Sequence, residues 1–216
     1  MNSILRYFMF FFGLILFGLG LAIAVKVKHL GLHPWDVLNV ALYDHFGFSI
    51  GTWNVITGLS LICVTLILDR QYISLGTFFN GLLVGPIMDF FLWLNILPEP
   101  THSWIDYPYL LLGIIIVGIG GGMYVAAGLG AGPRDGFMLS ISDKTGMSVS
   151  RARIIVESIV LVIGLLLGGP VFVVTFIYTF ILSPIFQRSL YFHRKLLERI
   201  SKEKTATGQK EPISHV

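Results

Sequence analysis

Long apolar runs alternate with short polar breaks along this chain, and the breaks recur in order. A Gly-rich apolar run over 7–27 leads into "GLHPWD", then a short segment over 35–46 closed by "DHFGFS", then apolar runs over 49–68 and 74–96. After "LPEPTHSWIDYP" the order returns: a Gly-rich run over 108–128, "GAGPRD", a short segment over 134–145 closed by "DKTGMS", and apolar runs over 149–168 and 171–191. About 20 apolar residues cross a hydrocarbon core of ~30 Å as a helix, so the pattern predicts six spans. Ser49 and Ser148 precede helical runs and suit N-caps.

The two series are copies of one unit. At a constant offset of 99, Gly31, Pro34, Asp36, Asp44, Gly47, Ser49 and Ile56 meet Gly130, Pro133, Asp135, Asp143, Gly146, Ser148 and Ile155. After a one-residue deletion, Thr77, Phe78, Pro86 and Ile87 meet Thr175, Phe176, Pro184 and Ile185. Upstream, Gly13, Gly18 and Gly20 meet Gly113, Gly118 and Gly120. Shared hydrophobicity does not produce matches at Gly, Pro and Asp, so the repeat is a duplication.

The short segments are too short to span. Eleven or twelve helical residues rise ~17 Å, about half the core. The stretches before them, 28–33 and 128–132, cover a similar depth when extended at ~3.3 Å per residue. The arithmetic fits a re-entrant element, inward as coil and back as a half-helix. Charge agrees: with three spans per copy and both termini inside, 13 of the 15 Lys and Arg are internal. Four spans per copy lower that to 11. An odd number of spans places the copies in opposite orientations, the inverted-repeat plan of many secondary transporters. The expected fold is an all-α polytopic membrane protein of two inverted repeats of three transmembrane helices, each with a short re-entrant half-helix. Residues 1–97 form the first repeat, 98–107 an external linker, 108–197 the second repeat, and 198–216 a basic, disordered cytoplasmic tail.

Composition narrows the function. The chain is 55% hydrophobic and 12% charged, with mean hydropathy +0.80, against ~25% charged residues in soluble domains. The one cysteine, Cys63, excludes an intramolecular disulfide and a Cys-based metal site, and its apolar run suggests a buried thiol. The pI near 9.0 comes largely from "RSLYFHRKLLERISKEK" after the last span, a positive-inside signature. No recognition fold accompanies that charge, so nucleic acid is not an expected partner. The N-terminus resembles a signal peptide, with Arg6, an apolar run and Ala22-x-Ala24. Its counterpart in mid-chain argues for a retained first helix.

Candidate chemistry gathers at the half-helix starts. Unpaired N–H groups and helix dipoles place partial positive charge there. Pro34 and Pro133 fit a first turn, where a missing N–H costs nothing. Asp36 and Asp135 admit three readings: they cap these helix ends, Arg134 neutralises Asp135 locally, or both line a substrate site. That site would comprise His33, Trp35, Asp36, Asn39, Arg134, Asp135 and Ser140. Ionisable groups inside a membrane are costly and are usually paired or functional. Glu157, ~10 Å deep by helical rise, either pairs with Arg153 one turn earlier or serves in coupling. Gly58 occupies its place in copy one, so any such role is asymmetric. Asn54, Asn80, Asp89 and Tyr124 read as interhelical hydrogen-bonding groups, and the Gly ladders as close helix contacts. The six His have no metal-ligand spacing, and "GIGGGM" lacks the Lys-Ser/Thr of a phosphate loop. No catalytic residue, metal or cofactor is expected.

The elements "GLHPWDVLNVALYDHFGFSIGTWNVI" and "GLGAGPRDGFMLSISDKTGMSVSRARIIVE" resemble the paired signatures of the YczE/YyaS/YitT group of bacterial membrane proteins, nearest to its YczE branch. The resemblance covers roughly residues 5–195. Its most specific part is a G-x-G-x-x-D motif in each half, followed by G-[FM]-S; copy one departs from it at His33-Pro34-Trp35. The resemblance implies a multi-pass protein of the bacterial cytoplasmic membrane and no established activity. The expected function is a small-molecule transporter or exporter with its site at the half-helix N-termini. The alternative is a scaffold that holds a partner enzyme through the basic tail. Six short spans enclose little volume, so a homodimer in the lipid bilayer fits the reading.

Overall fold

A computed structural model describes residues 3–208, with side chains over 3–200, and among these residues it is helical without strands. Eight helices run in order: α1 (Ser3–Lys26), α2 (Pro34–Phe46), α3 (Ile50–Leu68), α4 (Leu75–Trp93), α5 (Asp106–Ala126), α6 (Pro133–Thr145), α7 (Val149–Leu166) and α8 (Val173–Gly208). Single 3₁₀ turns at Lys28–Leu30 and Arg70–Tyr72 precede α2 and α4.

The boundaries follow from local chemistry. Ser49 and Ser148 are N-caps, accepting from the backbone N–H of Thr52 (2.9 Å) and Arg151 (3.4 Å). Ser74 and Thr77 form a reciprocal capping box at the start of α4. Pro34 and Pro133 open the two 13-residue helices, α2 and α6.

Five helices are long and apolar enough to cross a membrane: α1, α3, α4, α5 and Val173–Ile200 of α8. The expected sixth span, α7, has 18 residues, but Arg151, Arg153 and Glu157 take it out of that apolar set. The helix of α8 continues to Gly208, past the boundary at 198 that polar composition suggests. The last part of that tail, 209–216, lies outside the described residues. Apolar side chains such as Ile67, Leu75, Leu166 and Phe180 are at least 80% exposed, which suits an outer surface solvated by lipid. Cys63 lies on this exposed surface rather than in the core.

The centre of the molecule is the α1–α5 pair. A Cβ on Gly20 would lie 2.6 Å from the Val117 backbone N and 2.7 Å from the Gly113 carbonyl. One on Gly13 would lie 2.9 Å from the Gly120 carbonyl, so only hydrogen fits at these crossings. Gly13 faces Gly120 while Gly20 faces Gly113, so the two helices run antiparallel. Other contacts also come in matched pairs. Gly18 meets Ile87 on α4, and Gly118 meets Ile185 on α8 in nearly the same geometry. Gly31 lies against Thr175, and Gly130 against Thr77. Across the copies, α2 packs on α7 as α3 packs on α6. The match is incomplete: α3 lies along α4 whereas α7 makes at most marginal contact with α8, and α4 touches α6 whereas α8 makes at most marginal contact with α2.

Candidate functional site

The chain preceding each short helix is held by the other copy. Ser74 Oγ donates to the Leu129 carbonyl at 2.8 Å, and the Gly76 N–H donates to the same oxygen at 3.1 Å. At the matching place in copy one, Gly31 sits on Thr175. This bracing brings the first turns of α2 and α6 together, and between them lies a cavity of ≈ 350 Å³.

Six of its walls come from α1, α3, α4, α5, α7 and α8, and its floor from the starts of α2 and α6. Of the residues expected at a substrate or coupling site, His33, Trp35, Asp36, Arg134, Asp135, Arg153 and Glu157 all line it. Asn39 and Ser140 do not. Asn39 is buried one turn further along α2, its Oδ1 accepting from Thr57 at 3.2 Å. Ser140 is fully buried on α6 and is not part of the lining.

The charges pair across elements rather than along the sequence. Arg134 Nη2 lies 3.3 Å from Asp36 Oδ1, joining the two short helices, and its guanidinium stands 5.4 Å from the Trp35 ring centroid. Arg153 Nη2 donates to Asp135 Oδ1 at 2.8 Å. His33 Nε2 faces Glu157 Oε1 at 3.6 Å. Three local expectations are thereby corrected. Neither Asp caps its helix, for His33 and Gly132 hold the N-cap positions and neither helix has a side-chain cap bond. Arg134 pairs with Asp36 rather than with its neighbour Asp135. Arg153 reaches α6 instead of Glu157. Side chains at i and i+1 leave a helix about 100° apart, which explains why adjacent Arg134 and Asp135 take different partners.

Further polar groups join the cavity. Asn54, Asn80 and Tyr124 line it, although their type and setting suggested only interhelical bonding. A Cβ on Gly132 would lie 3.1 Å from Tyr124 Oη and 3.3 Å from Asn80 Oδ1, so the absent side chain keeps these groups together at the start of α6. His33 Nδ1, Trp35 Nε1, Asn80 Nδ2 and Tyr178 Oη are buried without a hydrogen-bond partner among the described residues. From α8 come Tyr178, Thr179, Ser183 and Gln187, which the sequence reading did not single out. Thr179, Ser183 and Gln187 are four residues apart, a polar stripe at helical spacing that was available as a signal. No group of three or more His, Cys, Asp or Glu among the described residues could hold a metal ion.

Comparison with known proteins places the chain. A model of a family of unknown function (DUF6198) matches residues 4–189. The chain is 34% identical to the uncharacterized membrane protein YczE of Bacillus subtilis (strain 168) over 98% of both chains. It is 31% identical to an uncharacterized protein of Haemophilus influenzae (strain ATCC 51907 / DSM 11121 / KW20 / Rd), covering 74% of this chain and 72% of that one. It is 24% identical to the uncharacterized protein YyaS of Bacillus subtilis, covering 77% and 83%. No solved structure matches. The chain belongs to the DUF6198 family and is a membrane protein of the YczE/YyaS kind.

Proposed function

We propose that this family member is a small-molecule transporter of the bacterial cytoplasmic membrane, with both termini cytoplasmic and its substrate site in the cavity between α2 and α6. Two inverted three-span repeats form the frame, with α7 as the sixth span and α2 and α6 re-entering at the midplane. The antiparallel α1–α5 pair supports the inversion, since these helices occupy equivalent places in the two copies. Length supports re-entry: 13 helical residues rise only ~20 Å. Charge supports the orientation, through the basic residues after the last span.

The observation that carries the reading is the convergence of paired charges and unpartnered polar groups on one cavity inside an apolar helical body. Its ≈ 350 Å³ falls at the small end of ligand sites, ~300–1,000 Å³. Charged groups at membrane depth mark substrate and ion paths, and a scaffold acting through its tail has no need of such a chamber.

A transporter site must be reached from both sides of the membrane in turn. In a Cys63→Ser background, Ser183→Cys places one thiol in the cavity wall. Impermeant methanethiosulfonates of either charge are then added to right-side-out or inside-out vesicles. Modification from both sides is the expected result. Modification from one side alone, or from neither, overturns transport through this cavity.

A further inference from the structure

We infer that the cavity takes a small organic cation, and that Glu157 is the carboxylate on which the cation and a proton compete. The inference rests on the cavity being the ligand site and deepens that reading with a substrate class.

The first observation is charge. Three carboxylates and two guanidinium groups line the cavity: Asp36, Asp135 and Glu157 against Arg134 and Arg153. Arg134 is engaged by Asp36 and Arg153 by Asp135. Among the described residues Glu157 has only the His33 imidazole within 4 Å, at 3.6 Å, with the engaged Arg153 and Arg134 acting from further off. A lone carboxylate in a low-dielectric site costs several kcal/mol if left ionised without a counter-charge. Neutrality therefore calls for one more positive charge, supplied by a proton on the Glu157–His33 pair or by a cationic ligand. The charged and titratable groups acting on Glu157 are His33 before α2, Arg153 on α7, and Arg134 and Asp135 on α6, while Asp36 on α2 and Tyr178 on α8 line the same cavity.

The second observation is the wall. Phe17, Trp35, Tyr124, Tyr178 and Phe186 line the same cavity. Aromatic faces attract a desolvated cation by up to ~2 kcal/mol, and quaternary ammonium groups are recognised this way. The Trp35 face is taken by Arg134, whereas Tyr178 stands beside His33, with ring centroids 5.6 Å apart. The cation is thereby directed to the Glu157 side. An anion would meet Glu157 there and find both guanidinium groups already paired.

The third is asymmetry. The position equivalent to Glu157 in copy one is Gly58, which also lines the cavity. The charge is thus carried by one copy and is not a shared feature of the repeat.

The test uses the full chain in detergent, with benzyltrimethylammonium as the cation and benzenesulfonate as an anion of similar size. Binding of radiolabelled probe is measured by equilibrium dialysis, and proton release with an indicator dye in weak buffer. Benzyltrimethylammonium should bind, weaken up to tenfold per pH unit as the pH falls through the titration of the pair, and release up to one proton per molecule bound. Glu157→Gln should weaken binding at least tenfold and abolish the release. Glu157→Asp should keep both, which separates loss of the carboxylate from loss of the fold. Preference for benzenesulfonate, cation binding without proton release at the acidic end of that titration, or full binding by folded Glu157→Gln overturns the inference. Cation binding at Glu157 with one-sided access at Ser183 upholds this inference and removes transport; two-sided access without cation binding does the reverse.

Discussion

Replacing Asp36 by Asn separates a helix cap from an ion pair that spans the two halves. Asn caps a helix about as well as Asp, so a capping role predicts a loss of only ~0.5 kcal/mol or less. Pairing predicts more. Asp36 is 7% exposed and Arg134 24%, and removing one partner of a buried pair costs ~3–5 kcal/mol. The single contact at 3.3 Å is longer than the ~2.7–2.9 Å of a strong charge-assisted bond. The cavity also leaves Arg134 partly accessible, so the expected loss is nearer ~2 kcal/mol. That equals about a thirtyfold shift in the unfolding equilibrium. The decisive quantity is the coupling. Asp36→Asn and Arg134→Met each strand a charge or lose the contact, whereas the double variant strands none. It should be less destabilised than the sum of the singles by at least ~1.5 kcal/mol. Reversible unfolding in mixed dodecylmaltoside–SDS micelles, followed by tryptophan fluorescence, measures all four proteins. Additive losses within ~0.5 kcal/mol would refute the pairing across α2 and α6.

Two further outcomes test the frame. Gly20→Ala puts a methyl 2.6 Å from backbone and should cost ~1–3 kcal/mol, whereas Gly58→Ala, with no atom nearer than 3.5 Å, should gain up to ~1 kcal/mol of helix propensity. Equal melting temperatures for the two would contradict the α1–α5 crossing. Between α3 and α4, the Tyr72 hydroxyl donates to Asp143 on α6, and that hydrogen bond raises the phenol above its ordinary range. A raised value stabilises the fold fully below the unfolded value of ~10 and loses that contribution as pH rises through the folded one. Wild-type melting should therefore fall more steeply above about pH 10 than that of Tyr72→Phe, and parallel curves would count against the bond.

The elements set by local chemistry were readable from the chain. Pro34 and Pro133 mark helix starts, Ser49 and Ser148 cap the next helices, and the Gly ladders are close helix contacts, Gly13, Gly20, Gly113 and Gly120 at the α1–α5 crossing and Gly18 and Gly118 against α4 and α8. The repeat also pointed to the residues that share the cavity, because "PWD" and "PRD" had to occupy equivalent places. Partners were harder. Arg134 beside Asp135, and Arg153 four residues before Glu157, invite local pairing, yet the packing of α2, α6 and α7 offers each arginine a different carboxylate. Cys63 exposes a second limit. A helix facing lipid is as apolar as one facing protein, so hydropathy cannot say which side a residue takes. The stripe Thr179, Ser183 and Gln187 was hidden for a related reason, since an average over an apolar span dilutes three polar positions on one face.

The cavity exists where the two copies stop matching. In copy one, α3 and α4 meet through glycine: Gly51 and Gly85 lie backbone to backbone, and a Cβ on Gly58 would be 3.5 Å from Gly81 Cα. The equivalent positions in copy two are Ser150, Ser183, Glu157 and Thr179. Each adds a side chain where the first copy has none, and α7 and α8 stand apart where α3 and α4 close. The residues that prevent the close approach are also ones that furnish the chamber, since Glu157, Thr179 and Ser183 all line it. Gly58 and Gly81 line it from the other side and keep that wall thin. One set of substitutions therefore both opens the space and supplies its polar groups. The duplicated Pro and Asp positions build the two helix starts, and the divergent positions decide what can stand between them.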